Sequence, residues 1–80
     1  MKYRIYRSIN IADTCCAPDK FYITELGEAK TLGEAKRVAK EYIENHFSHN
    51  SVKLVQNPDG TFSATDFCSY PTTVVVEPSN

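Results

Sequence analysis

The sequence predicts an α+β domain: an antiparallel β-sheet of four to five strands with one amphipathic helix packed on one face, in the order β-β-α-β-β-β. Three observations predict it. Residues 31–47, TLGEAKRVAKEYIENHF, place Leu32, Ala35, Val38, Ala39, Tyr42, Ile43 and Phe47 at spacings of three and four, the period of one helix face. Residues 2–11, KYRIYRSINI, alternate in the strand sense. Asn57-Pro58-Asp59-Gly60 stands between two β-rich runs and reads as a hairpin turn, with Pro presetting φ and Gly supplying the positive φ.

Taken in order, the first strand sends Tyr3, Ile5, Ile9 and Ile11 to one face and Lys2, Arg4, Tyr6, Ser8 and Asn10 to the other. Arg7 interrupts the apolar side, which predicts a strand end or sheet margin there. Residues 10–20, with Asp13, Pro18 and Asp19, read as a loop of a length that often carries a binding surface. Phe21–Glu25 is aromatic and β-branched and predicts the second strand. LGEAK then occurs twice, at 26–30 and 32–36. An offset of six cannot present both leucines to one core from one helix, so the first copy belongs to the strand end and connection.

Thr31 and Glu34 form a T-x-x-E capping box that opens the helix. Glu34, Lys36, Arg37, Lys40, Glu41 and Glu44 make its solvated face, with Arg37–Glu41 and Lys40–Glu44 as i,i+4 pairs. Asn50 is a candidate C-terminal cap. Val52–Gln56 and Thr61–Cys68 flank the turn as antiparallel neighbours, with Val52 and Leu54 pairing with Phe62 and Ala64 on the core face. Thr72–Glu77 is a last, β-branched strand that needs a pairing partner. The predicted core is the helix seam plus Tyr3, Ile5, Ile23, Leu54 and Phe62.

Length and composition bound the function. Eighty residues make a single domain, 1–80, near the lower limit for a self-sufficient core. A net charge of −1 excludes indiscriminate nucleic-acid binding and mimicry of a phosphate backbone. Cys15, Cys16 and Cys68 are odd in number, and the adjacent pair cannot easily bridge, so no disulfide framework is expected. Neither a signal-peptide pattern nor an apolar run of membrane-spanning length is visible, which predicts a reduced, cytoplasmic protein with no membrane partner.

Chemistry is sparsely marked. The three cysteines with His46 and His49 could together supply the four ligands of a zinc ion, but lack C-x-x-C spacing. Small buried thiols and helix-terminal histidines are the simpler reading, so no metal and no cofactor are expected. No nucleophile elbow, P-loop or dinucleotide fingerprint occurs, so neither a catalytic residue nor a small-molecule substrate is expected. Binding remains. Arg4, Tyr6 and Lys53 are the candidates on the open sheet face, with Lys36, Arg37 and Lys40 as a competing patch on the helix. Tyr6, Tyr22, Phe67 and Tyr70 compete for inward positions, and alternation sends some of them outward, as at interface hot spots.

The helix opening Thr31, Leu32, Ala35, Lys36, Arg37, Val38, Ala39, followed by VKLVQ, a turn and a second strand, resembles small anti-CRISPR proteins of phages and mobile elements. Within them it is most similar to the compact βαββ inhibitors of type I-F surveillance complexes. The resemblance covers roughly residues 20–64; the Cys15-Cys16 loop and the strand at Thr72–Glu77 depart from it. It implies a non-enzymatic phage inhibitor, acting in the bacterial host cytoplasm, that binds a CRISPR-Cas effector complex and blocks target DNA recognition. Contacts with the complex's protein, and with its RNA or DNA, would come from the residues above. The alternative is a small nucleic-acid-binding or regulatory domain using the open sheet face.

Overall fold

The computed structural model describes residues 2–11, 21–47, 52–67 and 70–79. The described chain runs β1 (Lys2–Asn10), β2 (Phe21–Ala29), α1 (Leu32–His46), β3 (Val55–Gln56), β4 (Phe62–Asp66) and β5 (Thr72–Ser79). The five strands form one sheet in the order β2-β1-β5-β4-β3, and every neighbouring pair is antiparallel. The expected α+β architecture is therefore present. No described helix is long and apolar enough to cross a membrane.

The helix forms where the apolar period and the cap coincide. Thr31 is its N-cap, in extended conformation, and its hydroxyl accepts from the Glu34 N–H at 3.2 Å. The last turn closes on Phe47, whose N–H donates to the Ile43 carbonyl, while Asn50 lies outside the described residues. Ala35, Ala39 and Ile43 make the buried stripe against β1, β2 and β5. Two alanines at the contact let the helix come close to the sheet. Ile5, Val74 and Val76 fill the interface from below, and Tyr3, Leu32, Val38, Tyr42, Leu54 and Phe62 pack around them.

The valine-rich segment is not an edge. β5 lies between β1 and β4, with Ile5 opposite Val76 and Ala64 opposite Val74 on the helix side. A central strand has no solvent edge, which explains its near-continuous β-branched run.

Several expectations are corrected. Ile23 is outside the core: it is 57% exposed on the face away from the helix. The cause is a break in register between Ile5 and Tyr6, where β1 passes from opposing Gly27 to opposing Glu25 and Leu26 becomes the extra residue. Such a bulge reverses the facing of everything beyond it. Phe21, Ile23 and Glu25 therefore share the open face with Tyr6 and Ser8. Gly27 adopts φ +155°, a conformation that an L side chain rarely takes. Strand β2 also runs on to Ala29, so the first LGEAK copy is strand up to its lysine.

Arg7 does not mark a strand end, because β1 continues through it with Val74 and Thr24 on its two sides. In the 52–56 segment only Val55 and Gln56 pair, opposite Ser63 and Phe62. Val52 and Leu54 pack against the core without the ladder partners expected for them. The turn that follows forms as anticipated. Gly60 N–H donates to the Asn57 carbonyl at 3.0 Å, and Gly60 has φ +89°. The Asp59 carboxylate accepts from the Thr61 N–H and hydroxyl at 3.0 and 2.7 Å, which holds its pKa below the usual carboxylate value.

Candidate binding groove

The six residues singled out in the sequence separate into two groups. Arg4 and Tyr6 lie on the open face of β1. The register puts Glu77 directly opposite Arg4 and Glu25 opposite Tyr6, one position along. The Arg4 guanidinium donates from Nε to Glu25 at 2.6 Å and from Nη1 to Glu77 at 2.9 Å. It also sits 4.4 Å from the Tyr6 ring centroid. The hydrogen bonds to Glu25 and then Glu77 push the guanidinium pKa further above its already high value. One cation is thus held by two carboxylates and a ring, so the open face does not offer Arg4 as a free positive charge. Tyr6, half-buried beside this group, has its phenol pKa raised, chiefly by burial and then by Glu77.

Lys53 is not part of that face. The unpaired segment Val52–Leu54 runs beside the helix, and Lys53 there lines the same groove as Lys36 and Lys40. The floor is Ile43, Val52, Leu54 and Phe62, Glu44 is the one acid among the described lining residues, and the cavity measures about 500 Å³. Lys36 Nζ stands 4.3 Å from the Phe62 ring centroid, and a cation over a ring face is held there by the ring quadrupole. The helix places Lys36 and Lys40 one turn apart on one flank. Arg37, next along the sequence but rotated around the helix, is exposed and does not line the groove.

An apolar floor with a rim of three ammonium groups against one carboxylate suits a partner group that is apolar in its body and anionic at its edge. The apolar positions follow from the helix period and from Phe62 on the helix side of β4. The convergence of Lys53 with the helix lysines is tertiary, and sequence alternation, which put Lys53 beside Arg4, missed it.

Two polar residues that are not among the sequence-derived site candidates lie on the helix side. Arg7 donates from Nη1 to the Tyr42 hydroxyl at 2.8 Å and from Nη2 to the Thr24 hydroxyl at 3.0 Å, and its buried Nε has no partner among the described residues. Asp66 is buried at 3% exposure. Tyr22, Phe67 and Tyr70 are all turned substantially to solvent, at 54%, 80% and 48%. Cys15, Cys16, Cys68, His49 and the loop at 13–20 lie outside the described residues. Among the described residues no three His, Cys, Asp or Glu side chains are grouped as metal ligands would be. No family model, curated protein or solved structure matches the chain.

Proposed function

We propose that this protein is a non-enzymatic inhibitor that acts by occupying a surface of a CRISPR-Cas effector complex, with the groove between α1 and residues 52–54 as its principal contact. The observation that carries the choice of contact is the convergence of Lys36, Lys40 and Lys53 over the apolar floor of Ile43, Leu54 and Phe62. Such an effector presents both protein side chains and an RNA backbone, so a cationic rim over an apolar floor suits it. The target class itself rests on the likeness of residues 20–64 to type I-F inhibitors. Arg4, already paired with two glutamates, moves from the contact list to the scaffold.

The test is co-purification with a type I-F effector complex, followed by variants. Lys36→Glu with Lys53→Glu reverses charge inside the groove and should weaken binding by ~2–5 kcal/mol. Arg37→Glu, outside the groove, should change mainly the association rate and its salt dependence. Retention of full inhibition by the folded double variant overturns the groove as the contact. A wild-type protein that ignores the effector but shifts bare DNA or RNA points instead to the nucleic-acid-binding domain, and the lysine rim would then serve phosphates.

A further inference from the structure

We infer that the N-terminal half of strand β2 is a self-pairing edge, through which two copies of this chain join their sheets. Among the described residues β2 is an outer strand of the sheet, with β1 its sole strand neighbour. Outer strands of soluble proteins are ordinarily blunted by charge, Pro or a bulge, because their outward N–H and C=O groups are a template for another strand. The half of β2 from Gly27 onward is protected in this way, by the Leu26 bulge and by Glu28. The half before Glu25 is not. Phe21, Tyr22, Ile23 and Thr24 contain no charge, Pro or Gly, and all four are exposed, Phe21 at 56% and Ile23 at 57%.

The occupant that fits is a second copy, because this segment complements itself. Two antiparallel strands related by a two-fold axis normal to the sheet keep like faces together, so residues of the same facing stand opposite each other. With the axis at Tyr22, Phe21 of each copy stands opposite Ile23 of the other, on the open face. That makes two aromatic–β-branched cross-strand pairs, among the favourable combinations. Registers displaced toward the C-terminal half are penalised. An axis at Glu25 opposes Glu25 to itself, an axis at Glu28 does the same there, and the bulge breaks the ladder between them. The charges and the bulge thus confine pairing to the uncharged half.

A junction of one short strand buries less than the ~1,200–2,000 Å² of a stable protein interface, so the dimer forms with rising concentration. Sedimentation velocity from low-micromolar to millimolar protein should show a monomer–dimer equilibrium. Ile23→Lys, at an exposed position, should leave the melting temperature unchanged and raise the dimer dissociation constant about tenfold or more. Phe21→Lys should do the same and serves if the first variant misfolds. Val55→Lys, on the opposite edge strand β3, should leave dimerisation intact. A wild-type protein that stays monomeric at millimolar concentration overturns the inference. So does a dimer that survives both lysine variants, or one that only Val55→Lys dissolves. The groove variants of α1 are remote in sequence from this edge and need not affect it, so inhibition and dimerisation can fail separately.

Discussion

Arg7 and Tyr42 meet at 2.8 Å in the seam between sheet and helix, the guanidinium Nη1 donating to the phenol oxygen. The arginine interrupts the apolar side of β1, and the tyrosine belongs to the apolar stripe of α1. Each supplies what the other's surroundings lack. Tyr42→Phe keeps the packing but removes the acceptor from a guanidinium whose Nε already lacks a partner among the described residues. The expected loss is ~1–3 kcal/mol by denaturant titration. Combined with Arg7→Met, the same change should cost much less, and a double-mutant cycle with no coupling would show that the bond contributes nothing.

Truncation in the helix stripe should be graded by burial. Ile43→Ala removes atoms from a side chain only 2% exposed and should cost ~2–5 kcal/mol. Val38 is half-buried beside Tyr42, so Val38→Ala should cost clearly less. Equal losses in thermal denaturation would contradict the placement of the helix.

Gly27→Ala isolates backbone strain. A Cβ at this position meets nothing within 4 Å, so no steric contact confuses the result. The positive φ of +155° should nevertheless cost ~1–3 kcal/mol. A variant as stable as the wild type would mean that the bulge relaxes without penalty.

The Tyr6 phenol gives a test in alkali. Its pKa is raised in the folded protein, so the native state holds the proton more tightly than the unfolded chain does. The resulting stability is fully present below the ordinary tyrosine value of ~10 and is lost as pH rises through the folded value. Melting temperatures of wild type and Tyr6→Phe should therefore run parallel at neutral pH. Above pH ~10 the wild type should fall more steeply. Parallel curves throughout would remove Tyr6 as a source of alkaline sensitivity.

Lys40 and Arg4 variants distinguish the groove from the open sheet face as the contact. Lys40 lines the groove, so if the proposed contact is the right one Lys40→Glu should impair effector binding with the fold, checked by circular dichroism, intact. Arg4→Gln should instead leave binding near wild type, because Arg4 is spent on Glu25 and Glu77. The reverse pattern in a pull-down would return the contact to the open sheet face.

What was legible in the sequence was local. The helix at 32–46 follows from its own period and from Thr31, and the hairpin from four consecutive residues. The strand order was not legible, because the place of β5 depends on which distant strands lack partners. A strand period of two places Ile23 in the core beside Ile5, and the extra residue at Leu26 breaks the regular pairing with β1 on which that facing depends. Alternation offers Arg4 as a contact on the open face because its neutralising partners, 21 and 73 residues away, are invisible to it. Alternation with Val52 and Leu54 groups Lys53 with it, yet residues 52–54 form no ladder and lie along the helix. Periodicity reports facing only while a strand stays regular, and it carries no information on which charges meet.

The position of β5 between β1 and β4 imposes a schedule on synthesis. Lys2 pairs with Ser79 and Phe62 with Val76, so β1 and β4 are joined only by the strand translated after both. Until residues 72–79 leave the ribosome, β1 has one filled side and β4 has little more than the two residues of β3. A nascent chain at that stage can close the β1–β2 hairpin and wind the helix, but Ile5 and Ala64 still lack the valines that stand opposite them. Completion is then a single late insertion with large sequence separation, the kind of contact that slows folding. A ribosome stalled before residue 72 should hold a protease-sensitive chain, and release of the last strand should convert it to a resistant one.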